Sequence, residues 1–275
     1  MRSAVITANL TKEEAIRLAS EVLAFLERAG VDVALEDCLA RELRRPELGV
    51  RLEEARADFL IVIGGDGTVL RACLRLSDNR PLVLAVNAGG RGFLTTVEAD
   101  EAIRALEACL SGSYGVEERM RISAYVDGER LPDALNEVCL TCRVPVKLFR
   151  ARVHKCGQPI MGLEGDGLII ATPTGSTAYS LSCGGPVVDP GLRCLLLTPI
   201  CPIRPRWPLV LPPDAEVQVE VLRAREPVAV VDGQAVFDLA VGSVVRARAS
   251  DWPLRFVVLE PRFYEKLAER RWPLA

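Results

Sequence analysis

The hydrophobic positions along this chain fall into two regimes. In the first, strand-like and helix-like periods alternate. Residues 4–7 make a short apolar run, and from Thr11 onward Ile16, Ala19, Leu23 and Leu26 recur three or four apart, which predicts a helix. Thr11-Lys12-Glu13-Glu14 has the form of a capping box, with Thr11 and Glu14 each satisfying the other's backbone N–H, and Gly30 is placed to stop the helix before a strand at 31–35. The continuous apolar runs 59–63 and 81–86 suit strands covered on both faces, joined by a helix over 68–76. A further helix at 98–110 carries Ile103, Leu106 and Leu110 on one face. Together these elements predict an α/β domain with a parallel sheet over residues 1–112.

The second regime begins after Ser111-Gly112-Ser113. Short β-type runs follow at 121–126, 136–142, 168–171, 195–198, 217–222, 228–231, 244–247 and 256–259, and Asp127-Gly128 and Asp232-Gly233 favour tight hairpins. A mainly-β domain over 113–258 is the expectation. A tail at 259–275, helical over 261–271, should pack back on the first domain.

Composition narrows the function. With 49% apolar and 26% charged residues the chain can build a core, which excludes disorder. Its 34 basic and 37 acidic residues leave a net charge of -3, so no basic field invites nucleic acid or an anionic membrane. The single histidine, His154, speaks against most hydrolase and metalloenzyme readings, since a His-Glu-x-x-His zinc site needs two and a Ser-His-Asp triad would have to use this one, which reads as a strand residue. Nine cysteines behind Met1-Arg2-Ser3, with no signal peptide, read as reduced thiols of a cytoplasmic protein. Cys139 and Cys142 lie three apart on an expected strand, on opposite faces, and so cannot easily share a metal. No apolar run reaches the length of a membrane-spanning helix.

Three segments carry candidate chemistry. Gly64-Gly65-Asp66-Gly67-Thr68 lies between a buried strand and a helix that Thr68 could cap, where α/β folds bind ligands. Its glycines let backbone N–H groups approach a phosphate beside the positive end of the helix. Asp66 would repel that phosphate at contact, so it should face a metal ion or a hydroxyl about to lose its proton. That combination suggests phosphoryl transfer, although a turn of this kind can also be purely structural. The run from Gly165-Asp166-Gly167 to Thr172-Pro173-Thr174-Gly175-Ser176-Thr177-Ala178-Tyr179-Ser180 packs hydroxyls around a glycine and offers Tyr179 as a plane for a base. Asn136-Glu137 places two polar side chains, suited to ribose hydroxyls, at the start of an apolar strand.

In this order and spacing, Gly64 to Thr68, Asn87 to Leu94, Asn136-Glu137, Asp166-Gly167, Thr172 to Ser182 with Gly184-Gly185-Pro186, and Asp232-Gly233-Gln234 closely resemble the NAD kinases, over most of the chain. The resemblance implies a two-domain NAD kinase-like fold, an α/β N-terminal domain with a parallel sheet and a mainly-β C-terminal domain. It implies an active site in the cleft between them, completed by a neighbouring subunit of a homodimer or homotetramer. The implied reaction moves the γ-phosphoryl group of ATP to the 2′-hydroxyl of NAD's adenosine ribose, with a divalent cation, Mg²⁺, held mainly by phosphates and not by a protein cage.

By the same resemblance Asp66 is the general base, and Gly64, Gly65, Gly67 and Thr68 cradle the donor phosphates. Asn136 and Glu137 hold the adenosine ribose, and Thr177, Ala178, Tyr179 and Ser182 surround adenine. Asp166 lies near the nicotinamide ribose across a subunit boundary. The family's Pro-His-Ser-Leu segment is replaced here by Pro202-Ile203-Arg204-Pro205-Arg206-Trp207-Pro208, so the histidine's part is lost or taken by Arg204 or Arg206. Two alternatives stay open: a diacylglycerol- or sphingosine-type lipid kinase, which shares the pentapeptide, and a non-catalytic NAD-binding sensor.

Overall fold

The first strand and helix form where the apolar periods place them. Ser3–Ala8 is buried almost throughout, and Glu13–Arg28 buries Ala15, Leu18, Ala19, Val22, Leu23 and Leu26 against the sheet. Gly30 follows with φ +73°, a left-handed conformation that costs glycine little and closes the helix. The expected capping box does not form. Lys12 is the N-cap residue, with no side-chain cap, and the Thr11 hydroxyl donates to Asn9 Oδ1 at 2.8 Å. Asn9 lies two residues before Thr11 in the turn that leaves the strand, so its amide oxygen reaches both the N–H and the hydroxyl of Thr11.

The computed structural model describes residues 1–76, 81–89 and 92–271, and the chain forms two compact units. One comprises Met1–Glu118 with the chain from Leu254 onward, and the other Arg119–Pro253. In the first, the sheet order is Gly49–Val50, Asp32–Glu36, Ser3–Ala8, Phe59–Gly64, Leu82–Asn87, Leu254–Val258 and Gly115–Arg119, with Val97–Glu98 paired to Leu82–Asn87. The pairings from Gly49–Val50 through Leu254–Val258 are all parallel. Phe59–Gly64 is buried at every position, as a central strand covered on both faces must be.

The run expected at 256–259 among the β-domain strands belongs instead to this parallel sheet, where Arg255 and Phe256 pair with Leu82 and Val83. Phe256 and Val257 are fully buried there, a burial that strands of either sheet type can provide. The helix Phe263–Arg271 follows, with Arg262 paired to Glu101 at 3.2 Å and Lys266 donating to the Thr95 carbonyl.

The second unit holds two antiparallel six-stranded sheets. One runs Leu209–Leu211, Leu195–Ile200, Gly167–Ala171, Glu137–Cys142, Pro227–Val231 and Ala235–Asp238. The other runs Gln158–Gly165, Phe149–Lys155, Val217–Arg223, Val244–Ala249, Ile122–Val126 and Glu129–Arg130. Asp127 and Gly128, at φ 49° and 97°, make one expected hairpin, and Asp232 and Gly233, at 50° and 64°, the other. The hairpin Phe149–Lys155 with Gln158–Gly165, turned by Cys156 and Gly157, goes beyond the expected runs and contains His154.

Candidate active site

In the parallel sheet the chain moves outward from Ser3–Ala8 on one side, then returns to continue through Phe59–Gly64 on the other. The switch point lies between these two strands, where crevices open at the carboxyl ends of parallel strands. Gly64-Gly65-Asp66 leaves the sheet there, and the helix Asp66–Leu74 starts immediately. Its N-cap is Gly65, in an extended conformation, with no side-chain cap. Thr68 is therefore not the cap but the third helical residue, because a glycine-only turn lets the chain enter the helix two residues earlier.

The three glycines do different work. A Cβ on Gly64 would lie 2.5 Å from the Thr68 hydroxyl and 2.8 Å from its Cβ, so Gly64 serves the folding of Thr68 back over the strand end. A Cβ on Gly65 or Gly67 would meet no protein atom within 4 Å. Their bareness serves access from outside.

Asp66 is half-buried, and both its oxygens are engaged: Phe93 N–H donates to Oδ2 at 2.8 Å and Leu94 N–H to Oδ1 at 2.9 Å. A Cβ on Gly92 would fall 2.1 Å from Oδ1, so this segment can wrap the carboxylate only with glycine at that point. Each oxygen keeps a second lone pair. Gly90 and Arg91 of the Asn87-to-Leu94 motif lie outside the described residues. Asn87 donates to Glu98 at 2.7 Å, and its own amide oxygen is buried without a partner. Among the described residues no three acidic, cysteine or histidine side chains converge as a metal cage.

Glu36, at the carboxyl end of its strand, is where many nucleotide-binding α/β folds hold a ribose. Here it is buried and committed to Arg71 at 2.8 Å, to Arg75 at 2.5 Å and to the Thr7 hydroxyl. That carboxylate is spent on internal ion pairs.

In the second unit the loop after Gly167–Ala171 folds onto the residues before Glu137–Cys142. Thr172 N–H donates to Asn136 O at 2.9 Å, its hydroxyl to Leu135 O at 2.6 Å, and Gly175 N–H to that hydroxyl at 3.0 Å. Thr177 is buried, Ala178 partly so, and Tyr179 and Ser182 are exposed on the short helix Tyr179–Ser182. A Cβ on Gly175 would sit 2.1 Å from the Asn136 carbonyl oxygen. Neither partner can give way, since both are backbone. Gly175→Ala should therefore cost ~1–3 kcal/mol, read by denaturant unfolding, and push the loop off Asn136.

Asn136 and Glu137 are both buried, and the Asp232 carboxylate, to which the sequence assigns a turn and a place in a motif but no side-chain role, holds their backbone. It accepts from Leu135 N–H at 2.8 Å, Asn136 N–H at 2.7 Å and Glu137 N–H at 3.0 Å. Burial pushes the Glu137 carboxyl up to about 8, helped by the charge of Asp232, and Glu137 Oε2 has no hydrogen-bond partner. Burial raises Asp232 as well, against its three N–H donors and nearby Arg121. The three N–H donors favour the charged form of Asp232, whereas Glu137 Oε2 has no donor to offset its burial.

Asp166 is not brought to this cluster. It stands before Gly167–Ala171, and Thr172 follows that strand, so the two lie at opposite ends, roughly 20 Å apart at ~3.3 Å per residue. Beyond it, Ile203 N–H donates to Glu164 O at 2.8 Å, and Arg204 and Arg206 line a groove of about 340 Å³ with Arg150, Arg152 and Glu164.

The ATP-NAD kinase N-terminal domain family matches residues 4–114 and the C-terminal domain family residues 135–259. The NAD kinase of Methanothermobacter thermautotrophicus is 39% identical over 268 residues, covering 96% of this chain and 94% of its own, and that of Symbiobacterium thermophilum is 38% identical, covering 96% and 97%. A crystal structure of an NAD kinase from Archaeoglobus fulgidus in complex with ATP superposes with a TM-score of 0.80 at 29% identity, covering 98% of both chains. Yeast NADH kinase complexed with NADH shares the fold, with a TM-score of 0.92 at 24% identity over all of this chain and 90% of that one. With both halves matched and relatives alike from end to end, this chain belongs to the NAD kinase family.

Proposed function

We propose that this protein transfers the γ-phosphoryl group of ATP to the 2′-hydroxyl of the adenosine ribose of NAD, giving NADP and ADP. The observation that carries the reading is Asp66: a half-buried carboxylate on a glycine turn at the sheet's switch point, with a free lone pair on each oxygen. The bond from the γ-phosphorus to the bridging oxygen breaks, its electrons stay with ADP, and the 2′-oxygen gains the phosphorus while its proton passes to Asp66. The transition state is loose, so orientation of the hydroxyl matters as much as deprotonation. Gly65, Gly67 and the start of the helix Asp66–Leu74 offer N–H groups to the donor phosphates, with Gly64 and Thr68 shaping the turn. A divalent cation, Mg²⁺ in this reading, would be held by those phosphates beside Asp66 and would neutralise their charge.

Asn136 and Glu137 hold the adenosine ribose, and Thr177, Ala178, Tyr179 and Ser182 surround the base. The match of both domains to one family speaks against a lipid kinase. Among the described residues no helix is long and apolar enough to cross a membrane. The nine free thiols suit the reducing cytoplasm, where we place the enzyme. One assay separates catalysis from sensing: protein, ATP, Mg²⁺ and NAD are incubated, and mass spectrometry looks for a phosphorylated dinucleotide. NAD binding without that product would leave only a sensor.

The separation of Asp166 from Thr172 along one strand supports a shared site in a homodimer or homotetramer, where Asp166 serves the nicotinamide ribose held by a neighbouring subunit. Arg204 and Arg206, near the same strand end, would take the part of the missing histidine. Asp166→Ala and Asp66→Asn proteins, each nearly inactive, should regain activity when co-assembled, because some sites then combine both intact residues. Mixed oligomers that form and stay inactive would show that Asp166 acts within its own subunit.

A further inference from the structure

We propose that Asp232 is a positioning residue for NAD: its carboxylate fixes the backbone from which Asn136 and Glu137 project, and so sets where the ribose-binding groups stand. The proposal rests on the reading that Asn136 and Glu137 hold the adenosine ribose. Three consecutive backbone N–H groups converge on this one side chain, 3% exposed, and Asp232 N–H returns a hydrogen bond to Glu137 O at 3.0 Å. From the other side, Thr172 and Gly175 press on the same Leu135-Asn136 backbone. The segment is thus held at its N–H groups by Asp232 and at its carbonyls by the Thr172 loop. Its side chains are left with little to do internally, since Glu137 Oε2 is buried and unpartnered.

Such an arrangement has a binding function. A buried acceptor without a partner is costly unless a ligand supplies one, and ribose hydroxyls are donors of the right kind. Asp232 also places a second carboxyl beside Glu137, which helps to hold its proton. The other groups near the pair are Arg121 on the Asp232 side and the thiols of Cys139 and Cys183 beside Glu137. Burial keeps both thiols protonated through neutral pH, Cys139 being raised to about 12. Glu137, pushed up to about 8 by burial and by the charge of Asp232, is the carboxyl whose protonation follows that charge.

The test is Asp232→Asn. Position 232 has φ 50°, a left-handed conformation that asparagine tolerates, and the amide oxygen can still accept from Asn136 and Glu137. The amide NH₂ then opposes the Leu135 N–H, so one hydrogen bond is lost. The KM for NAD should rise ~10-fold, while kcat and the KM for ATP stay within about twofold. The midpoint of the pH dependence of NAD KM should move from near 8 to lower pH, because the neighbouring charge is gone. A merely structural residue would not move that midpoint. An unchanged midpoint and NAD KM, with Glu137→Gln still weakening NAD, overturns the role of Asp232 alone. Equal loss in kcat and both KM values overturns it too, as general damage. If Glu137→Gln leaves NAD KM unchanged, the ribose assignment fails and the role of Asp232 falls with it.

Discussion

Asp66→Asn should lower kcat by ~10²- to 10⁴-fold, the usual cost of removing a positioned general base, with NAD affinity nearly intact. The geometry adds a second, smaller effect. Asparagine can accept from only one of Phe93 N–H and Leu94 N–H through its oxygen, and its NH₂ faces the other donor, so the segment around Gly92 loosens. That segment adjoins the glycine turn, so ATP affinity should fall modestly as well. Calorimetry of each nucleotide beside steady-state kinetics separates the two effects. A fall in NAD affinity equal to the fall in rate would make Asp66 a ligand-holding residue and not a base.

Glu137→Gln should have opposite consequences for binding and stability. The substitution removes a carboxyl that would hold the ribose hydroxyls, so NAD is held more weakly, by ~1.5–3 kcal/mol above pH 8, where the ionised group makes the bond charge-assisted, and by less below it. Yet the native carboxyl is a burden to the fold at alkaline pH. Its value in the folded protein is about 8, above an ordinary 4.5, so the folded state binds a proton that the unfolded chain releases across that interval. Its contribution to stability is complete below 4.5 and is lost as pH rises through 8. The limit of that change is roughly 5 kcal/mol, spread over the whole interval. Glutamine does not ionise. The Glu137→Gln protein should therefore melt higher than the native one at pH 9, with the two converging near pH 5. Parallel melting curves across that range would mean that Glu137 is ionised in the fold already, paired with a cation. A residue that weakens the fold while serving a ligand is a common bargain at binding sites.

Much of this architecture is written locally. The 3.6-residue period of Ile16, Ala19, Leu23 and Leu26, the uninterrupted apolar run ending at Ile63, and the Asp-Gly hairpins at 127 and 232 each depend on a few neighbouring residues, and each appears where its pattern points. The Gly64-to-Thr68 turn is of the same kind, because backbone freedom belongs to the glycines themselves. Other features are decided only by contacts between distant parts of the chain. Leu254–Val258 has the pattern of any buried strand, and only pairing with Leu82 and Val83 assigns it to the parallel sheet. Thr11 lost its capping role to a competing oxygen on Asn9, a choice between two nearby partners that spacing does not settle. Asp232 reads in sequence as a turn residue within a resembling motif, with no side-chain role, and becomes the clamp on Leu135, Asn136 and Glu137 because its strand lies beside theirs, almost a hundred residues away. The raised carboxyl of Glu137 is likewise invisible in sequence, since desolvation depends on everything packed around a group, and only the tertiary structure supplies that surrounding.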